Sequence, residues 1–225
     1  MIRLYVIVEG QTEEQFVKSV LYPHLLARGV LAQPIIVTTS RDADGTAHKG
    51  GGHWHSWRGD IARVLGEQTQ QAVRVTTLFD LYGLPPDFPG LGEHGANADT
   101  KKRAALLEKA MADAVGDWRF VPYIQRHEFE ALVLAALDRL EPYLEADATK
   151  GFQELKKAIE GQAPEDVNDG SETAPSKRLK TAIPGYQKPL YGPFAIEDAG
   201  LAAIRARCER FAGWVAQIEA LGPPA

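Results

Sequence analysis

The feature that most constrains the fold is an apolar run, Leu4-Tyr5-Val6-Ile7-Val8, which stops abruptly at Glu9 and Gly10. Five apolar residues followed by a carboxylate and a glycine are typical of a buried strand that ends in a tight turn. Apolar residues at helical spacing then run from Thr12 to Leu26, and Thr12 is a suitable N-cap. The sequence therefore predicts a strand, a loop and a helix, with Glu9 at the carboxyl end of the strand.

The same alternation of strand and helix patterns continues through the first half of the chain. Strands are predicted near 2–8, 35–39, 73–79 and 120–124, and helices near 12–28, 57–68, 101–115 and 128–137. Alternation of this kind favours an α/β fold, a Rossmann-like and mostly parallel sheet with helices on both faces. The carboxyl ends of parallel strands meet at one sheet edge, which is where such sheets bind their ligands.

The second half of the chain has a different pattern. Helices are predicted at 150–160, 176–183 and 201–221, and the segment from about 161 to 176 is rich in Pro, Asp, Asn, Ser and Gly. A segment of that composition is typical of an exposed, flexible loop. We expect an α/β core over residues 1–145 and a helical C-terminal extension over 146–225 that packs on the same core.

Composition limits the environment and the partners. The 225-residue chain carries a net charge of −5, so its surface as a whole has no electrostatic footprint for nucleic acid, although local basic patches remain possible. Its single cysteine, Cys208, excludes an intrachain disulfide and fits a reducing compartment. No apolar leader precedes the first strand and no apolar run approaches membrane-spanning length, so we expect a cytoplasmic protein without membrane contact.

Three acidic residues follow predicted strands or begin the helix after one. Glu9 ends the first strand, Glu13 lies one turn into the next helix, and Asp80 follows the strand near 73–79. Glu9 and Glu13 together would make half of a divalent-metal site. For Asp80, a metal ligand and a cap of the following turn are equally compatible with the sequence.

A fourth acidic segment is His127-Glu128-Phe129-Glu130. Acids two residues apart cannot share a helix face, and acids at a helix N-terminus are common because they favour the dipole. Carboxylates gathered at one sheet edge, however, repel each other unless they are protonated or held by a cation. An oxygen-only ligand set suits Mg²⁺ or Mn²⁺ better than zinc.

Taken together, these segments resemble a known family. Val8 to Glu13, Asp80 to Pro85, and His127 to Leu132, with Lys49-Gly50-Gly51-Gly52 and the region from Lys188 to Trp214, are similar to a bacterial family called domain of unknown function 4276. The resemblance implies a Toprim-like fold, the fold shared by topoisomerases, primases and the overcoming-lysogenization-defect nucleases. It also implies a setting in bacterial antiviral defence, beside a partner ATPase.

The resemblance implies roles for particular residues. Glu9 matches the Toprim glutamate that serves as general acid, general base or metal ligand, and Glu13 matches the acid one turn later. Asp80 matches the first aspartate of the D-x-D motif, but Tyr82 stands where the second would be, which puts two-metal chemistry in doubt. Glu128 or Glu130 would supply the missing carboxylate, and His127 would orient water or phosphate. The expected catalytic residues are Glu9, Asp80, His127 and Glu128, and the expected metal ligands are Glu9, Glu13, Asp80 and Glu130.

Glycine-rich and basic segments supply candidate substrate contacts. The stretch from His48 to His55 has neither the cysteines of a zinc site nor a strand directly before its glycines, so a loop near the active edge is the better interpretation. The basic residues near 177–188 fit phosphate contacts, although an ordinary solvated helix face is more common. The expected substrate-binding residues are Gly10, Lys49, Gly51, Lys177, Arg178 and Lys188.

Three functions are compatible with this pattern. The leading hypothesis is a Mg²⁺- or Mn²⁺-dependent nuclease that cuts DNA or RNA. The second is a non-catalytic binding module that acts through a partner such as an ATPase, which the missing aspartate and the acidic net charge favour. The third is a structural or regulatory subunit without nucleic-acid contact. The sequence leaves the substrate and the oligomeric state open.

Overall fold

The computed structural model describes residues 1–41, 47–49, 52–67, 72–96, 99–168 and 173–223, without the side chains of 38–41 and 47–49. Its strands are β1 (Ile2–Val8), β2 (Val30–Ile36), β3 (Thr38–Arg41), β4 (Ala47–Lys49), β5 (Val73–Asp80), β6 (Phe120–Val121) and β7 (Ile124–Gln125). The main sheet has the order β2-β1-β5-β6, and β7 also pairs with β5. Every pairing in this sheet is parallel, whereas β3 and β4 form a separate antiparallel pair.

Helices cover both faces of the sheet. They are α1 (Gln11–Phe16), α2 (Tyr22–Leu26), α3 (Trp54–Glu67), α4 (Leu91–His94), α5 (Thr100–Val115), α6 (Glu130–Ala135), α7 (Thr149–Ala158), α8 (Pro175–Ala182), α9 (Lys188–Ala199), α10 (Leu201–Arg207) and α11 (Glu209–Glu219). A π-helical turn, Val17–Leu21, joins α1 to α2, and short 3-10 turns include Leu137–Arg139, Glu141–Tyr143 and Pro164–Asp166. The fold is α/β, with a mostly parallel sheet flanked by helices.

Side chains on the two faces of β1 belong to two different hydrophobic clusters. Leu4, Val6 and Val8 belong to the larger cluster, which continues through α1 and α6 to the C-terminal helices. Ile7 points the other way, into a cluster formed with α3 and α5. β1 and β5 are therefore covered on both sides, which explains why buried residues follow one another along each strand instead of alternating with exposed ones.

The C-terminal helices complete one face of the sheet. Trp214 of α11 is buried, and its indole N–H donates a hydrogen bond of 2.9 Å to Thr76 Oγ1 on β5. Its ring also stacks on Tyr123, with 4.6 Å between the ring centroids. The larger cluster thus includes residues from both halves of the chain.

Several predicted elements differ from the structure in their bounds. The strand expected at 35–39 is wrong in position, because β2 covers Val30–Ile36 and contains Pro34, which an edge strand tolerates. The strand expected at 120–124 is two short strands with Pro122 between them. The last helix divides at Cys208, which is buried with extended backbone.

Two of the described helices, the short α4 and α9, are absent from the sequence-based prediction. α9 contains Pro189 in its first turn and Gly192 and Pro193 further on, and these residues obscure the helical pattern. The expected flexible loop at 161–176 falls partly outside the described residues; in its described part, Glu165, Val167 and Ala174 are buried. Within the described ranges, no helix combines the length and the apolar character needed to span a bilayer.

Candidate active site at the carboxyl edge of the sheet

Glu9 and Asp80 lie next to each other at the carboxyl edge. β1 and β5 are parallel neighbours with Val8 opposite Leu78. Glu9 directly follows β1, and Asp80 is the last residue of β5, where it pairs with Gln125 of β7. The Asp80 backbone N–H donates a hydrogen bond of 2.6 Å to Glu9 Oε1. The Asp80 side chain, in turn, accepts a hydrogen bond of 2.8 Å from the Phe129 backbone N–H through Oδ1. Asp80 therefore links β5 to the segment after β7 rather than only to its own turn.

Glu13 and Glu130 approach the same edge from the first turns of two helices. Glu13 is buried in α1, and its Oε2 accepts a hydrogen bond of 3.0 Å from the Gly10 backbone N–H. Glu130 begins α6 and is only 1% exposed. Its Oε2 lies 3.0 Å from Nζ of Lys188, the first residue of α9. The chain thus brings four carboxylates and one ammonium group to one region.

Burial and the charges of neighbouring acids raise the pKa values of these four carboxylates. Desolvation by the surrounding protein and the charge of Glu13 raise the pKa of Glu9 from 4.5 to about 8, against the stabilising Asp80 N–H bond. Desolvation also raises the pKa of Asp80 well above its ordinary value, and Glu9, Glu13 and Glu130 add to the rise. Burial raises the pKa values of Glu13 and Glu130, and the charge of Lys188 opposes both shifts. Lys188 is therefore the positive charge that partly balances the cluster.

Gly83 closes over the Glu9 carboxylate. A Cβ atom added to Gly83 would lie 2.4 Å from Glu9 Oε2 and 3.0 Å from Glu9 Oε1. Contacts of this length do not occur with a real Cβ atom, so any larger residue would displace the carboxylate. The loop after β5 therefore requires glycine here for the close approach to Glu9.

The oxygen atoms of these carboxylates are ligands that a hard divalent cation prefers. The four side chains are not, however, positioned around a shared metal ion. The ligands on offer are carboxylate oxygens, which Mg²⁺ and Mn²⁺ prefer. In the described part of the chain, no group of three or more His, Cys, Asp or Glu side chains is positioned to hold a metal ion. Glu9, Glu13 and Asp80 each accept a backbone N–H, and Glu130 binds Lys188. A cation shared by these carboxylates would have to displace Lys188 from Glu130.

His127 lies in a second polar cluster beside the first. It is 2% exposed and has a left-handed backbone (φ 61°), which is rare for a residue with a side chain. Its Nδ1 lies 3.1 Å from the Tyr82 hydroxyl, and the Asn168 amide donates a hydrogen bond to the same hydroxyl. Burial, followed by the charge of Arg126, lowers the pKa of His127 to about 4. The ring is therefore neutral at physiological pH and hydrogen-bonds to Tyr82.

Of the remaining predicted residues, Glu128, Lys177 and Arg178 have described side chains. Glu128 Oε2 accepts a hydrogen bond of 2.9 Å from the Ser176 backbone N–H, which ties the start of α8 to the site. Lys177 is exposed on α8, and Arg178 Nε donates to the Thr173 carbonyl at 2.8 Å. The Lys49 side chain and the whole of Gly51 lie outside the described parts of the chain.

Sequence reasoning missed the role of Gly83 and the Tyr82 cluster. The motif Asp80-Leu81-Tyr82-Gly83 marks a turn, but nothing in it shows that the glycine packs on Glu9. Asn168 is 86 residues from Tyr82, so only the folded chain brings the two side chains together.

These features define an α/β protein with a partly buried acidic site at the carboxyl edge of a parallel sheet. The chain belongs to the family described as domain of unknown function (DUF4276), whose family model matches residues 8–219. No curated protein matches the chain in sequence.

Among solved structures, the chain is similar to C-terminal regions of OLD proteins. The region from Burkholderia pseudomallei has 15% identity and a TM-score of 0.48, over 99% of this chain and 100% of that one. The region from Xanthomonas campestris pv. campestris, phased with iodine, has 15% identity and a TM-score of 0.39, over 96% and 97% of the two chains.

Proposed function

We propose that this chain is a divalent-metal-dependent phosphoryl-transfer enzyme, and most concretely a nuclease that acts on DNA or RNA. The observation that carries the proposal is the gathering of Glu9, Glu13, Asp80 and Glu130 at one sheet edge, where desolvation and mutual repulsion raise their pKa values. An arrangement so unfavourable to charge is typical of functional sites. A divalent cation would relieve the repulsion and stabilise the ionised carboxylates.

In this proposal, Glu9, Glu13, Asp80 and Glu130 are the residues that would hold Mg²⁺ or Mn²⁺. The ion, when bound, would polarise the scissile phosphate and neutralise charge as it develops there. Backbone N–H groups already orient three of these carboxylates, from Gly10, Asp80 and Phe129.

Glu9 and Lys188 suit the same chemistry in a second way. Where Glu13, Asp80 and Glu130 hold the ion, Glu9, with a pKa of about 8, can take up and release a proton near neutral pH, as a general acid or base must. Lys188 is partly buried 3.0 Å from Glu130, and a cation that displaces it from Glu130 would leave its ammonium group to contact a substrate phosphate. The proposal thus assigns proton transfer to Glu9 and phosphate contact to Lys188.

A second candidate function is a non-catalytic binding module, favoured by one observation. The described residues contain no group of three or more side chains already positioned around a metal ion, and Tyr82 stands two residues after Asp80. In either case we propose a partner ATPase, because a chain of net charge −5 needs another source of affinity for nucleic acid. We also propose a place in bacterial defence. A reducing cytoplasm suits a chain whose only cysteine, Cys208, is buried and unpaired.

The test is a calorimetric titration of the purified protein with Mn²⁺ and with Mg²⁺. We expect saturable binding to the wild type and its loss in Glu9→Gln and Asp80→Asn, because each change removes a charged ligand. Glu93→Gln is the matched control, since the Glu93 side chain is 82% exposed on α4. The same proteins are then assayed for cleavage of labelled single-stranded DNA, duplex DNA and RNA. Metal affinity that is unchanged in both site variants would remove the basis of the proposal, and metal binding without cleavage of any substrate would favour the binding module.

A further inference from the structure

Tyr82 is an aromatic side chain exposed beside the acidic site. It follows Asp80 by two residues and is 37% exposed, although it lies at an edge whose other large side chains are mostly buried. The preceding Leu81 is only 1% exposed and belongs to the hydrophobic cluster under α3 and α5. The loop after β5 thus buries one apolar side chain and presents the next one outward.

Four contacts hold Tyr82 in one position. The hydroxyl hydrogen-bonds to His127 Nδ1 and to the Asn168 amide, and the Tyr82 backbone N–H donates to the His127 carbonyl at 3.1 Å. The imidazole also packs against the phenol ring at a tilt of 49°, with 5.4 Å between centroids. An aromatic ring fixed in this way loses little conformational entropy when a ligand packs on it.

Two arginines add positive charge near the same ring. Desolvation raises the pKa of the Tyr82 phenol, the charges of Arg103 and Arg126 lower it, and the charge of Glu128 opposes them. Arg126 is held by Thr100 Oγ1, at 2.8 Å from Nη2, and by Asp166. Among the described residues, Arg103 Nε is buried with no hydrogen-bond partner. An exposed aromatic ring with guanidinium groups nearby is the combination that binds single-stranded nucleic acid.

We propose that the exposed and fixed ring of Tyr82 is a stacking platform for an unpaired nucleobase next to the scissile phosphate. The inference rests on the proposed function and narrows its substrate class to single-stranded or locally unpaired nucleic acid. A base inside a duplex has both faces covered by its neighbours, so only an unpaired base can lie on the ring. The charges of Arg103 and Arg126 favour the binding of phosphates that flank this base, and His127 and Asn168 act as positioning residues for the ring.

The test measures the binding of nucleic acid to the protein in EDTA, so that no turnover is required. Fluorescence anisotropy gives the affinity of each protein for a fluorescein-labelled single-stranded oligodeoxynucleotide and for the corresponding duplex. We expect the wild type to prefer the single strand, and Tyr82→Leu to bind it about tenfold more weakly, because Leu fills the space without an aromatic face. Tyr82→Phe retains the ring and is expected to lose no more than about threefold.

Trp118→Leu is the matched control. Trp118 is 70% exposed and has Arg74 4.3 Å above its ring, but it precedes β6 at the opposite, amino edge of the sheet. We expect this variant to bind like the wild type. Thermal unfolding of every variant shows whether a loss of binding reflects a loss of folding. The preference of the wild type for the single strand over the duplex tests the inference even if Tyr82→Leu is unstable.

Equal affinity of Tyr82→Leu and the wild type for the single strand would overturn the inference, as would equal affinity of the wild type for single strand and duplex. Failure of the two proposals can be told apart. Binding that depends on Tyr82, with no metal binding or cleavage, would refute the nuclease but not the platform. Cleavage that depends on Glu9, with no role for Tyr82, would refute the platform alone.

Discussion

At the scale of single residues, the geometry of the site depends on the hydrogen bonds that each buried carboxylate accepts. Glu9 accepts the Asp80 backbone N–H, and Asp80 accepts the Phe129 backbone N–H, so each carboxylate fixes the backbone of the next segment. Hydrogen bonds to carboxylates favour the charged form, whereas desolvation and neighbouring acids favour the neutral form. For Glu9 and Asp80 the second effect is larger, and their pKa values are raised.

The close contact between Gly83 and Glu9 yields a prediction. Gly83→Ala is expected to push the Glu9 carboxylate away from the Asp80 N–H, because the new Cβ would lie 2.4 Å from Glu9 Oε2. We expect a loss of about 1 kcal/mol in the free energy of unfolding, measured by urea denaturation, together with weaker Mn²⁺ binding.

Gly213→Ala is the control for this substitution. Gly213 lies inside α11, and a Cβ atom there would meet nothing within 4 Å. Alanine in a helix interior is more favourable than glycine, so this variant should gain about 0.5–1 kcal/mol. A Gly83→Ala variant as stable as the wild type, with unchanged Mn²⁺ affinity, would contradict the close-approach argument.

At the scale of elements, the sequence predicts strand ends better than helix starts. Glu9 and Asp80 could be placed at the carboxyl edge because the apolar and β-branched residues of β1 and β5 locate both strands almost to the residue. Glu130 and Lys188 could not be joined, since they lie 58 residues apart and α9 contains two prolines. Local sequence patterns reveal the hydrophobic period of an element and the residues that cap it, whereas contacts between helices that are distant in sequence depend on tertiary packing.

The first turns of α6 and α9 yield a second prediction. Lys188→Met removes the cation that binds Glu130, whose carboxylate is 1% exposed. Breaking one side of a buried ion pair costs about 3–5 kcal/mol, and because Lys188 is partly exposed we expect about 2–3 kcal/mol at pH 8 by urea denaturation. The loss should shrink on acidification, because a protonated Glu130 no longer needs the cation.

A double-mutant cycle with Glu130→Gln measures the interaction free energy between Lys188 and Glu130 separately from the contacts that each makes with other residues. The double variant should be more stable than Lys188→Met alone, since the neutral amide leaves no unpaired charge in the site. Purely additive losses would show that the two side chains do not interact and would contradict the assignment.

At the scale of the whole molecule, one rigid scaffold supports an electrostatically unfavourable edge. Hydrophobic clusters cover both faces of the sheet, and α11 is tied to β5 through the Trp214–Thr76 hydrogen bond. Burial of this extent can offset the free energy needed to keep several carboxylates together at the edge. The site should therefore be visible in the pH dependence of global stability.

That dependence is the last prediction. The pKa of Glu9 is about 8 in the folded chain and 4.5 by default, so its contribution to stability is fully present below about 4.5 and is lost as pH rises through 8. The wild type should therefore lose on the order of 3 kcal/mol relative to Glu9→Gln between pH 5 and 9, since Gln does not titrate. His127, whose pKa is lowered to about 4, acts in the opposite direction, because its contribution is lost as pH falls from about 6.5 towards 4.

Urea denaturation of both proteins across this pH range, with and without Mn²⁺, measures the difference. At pH 8 to 9, Mn²⁺ at a hundredfold excess over its dissociation constant should restore about 2.7 kcal/mol to the wild type and much less to Glu9→Gln. Parallel stability curves for the two proteins would mean that Glu9 has an ordinary pKa. In that case desolvation at this edge is weaker than the geometry implies, and the main physical reason for expecting a cation there disappears.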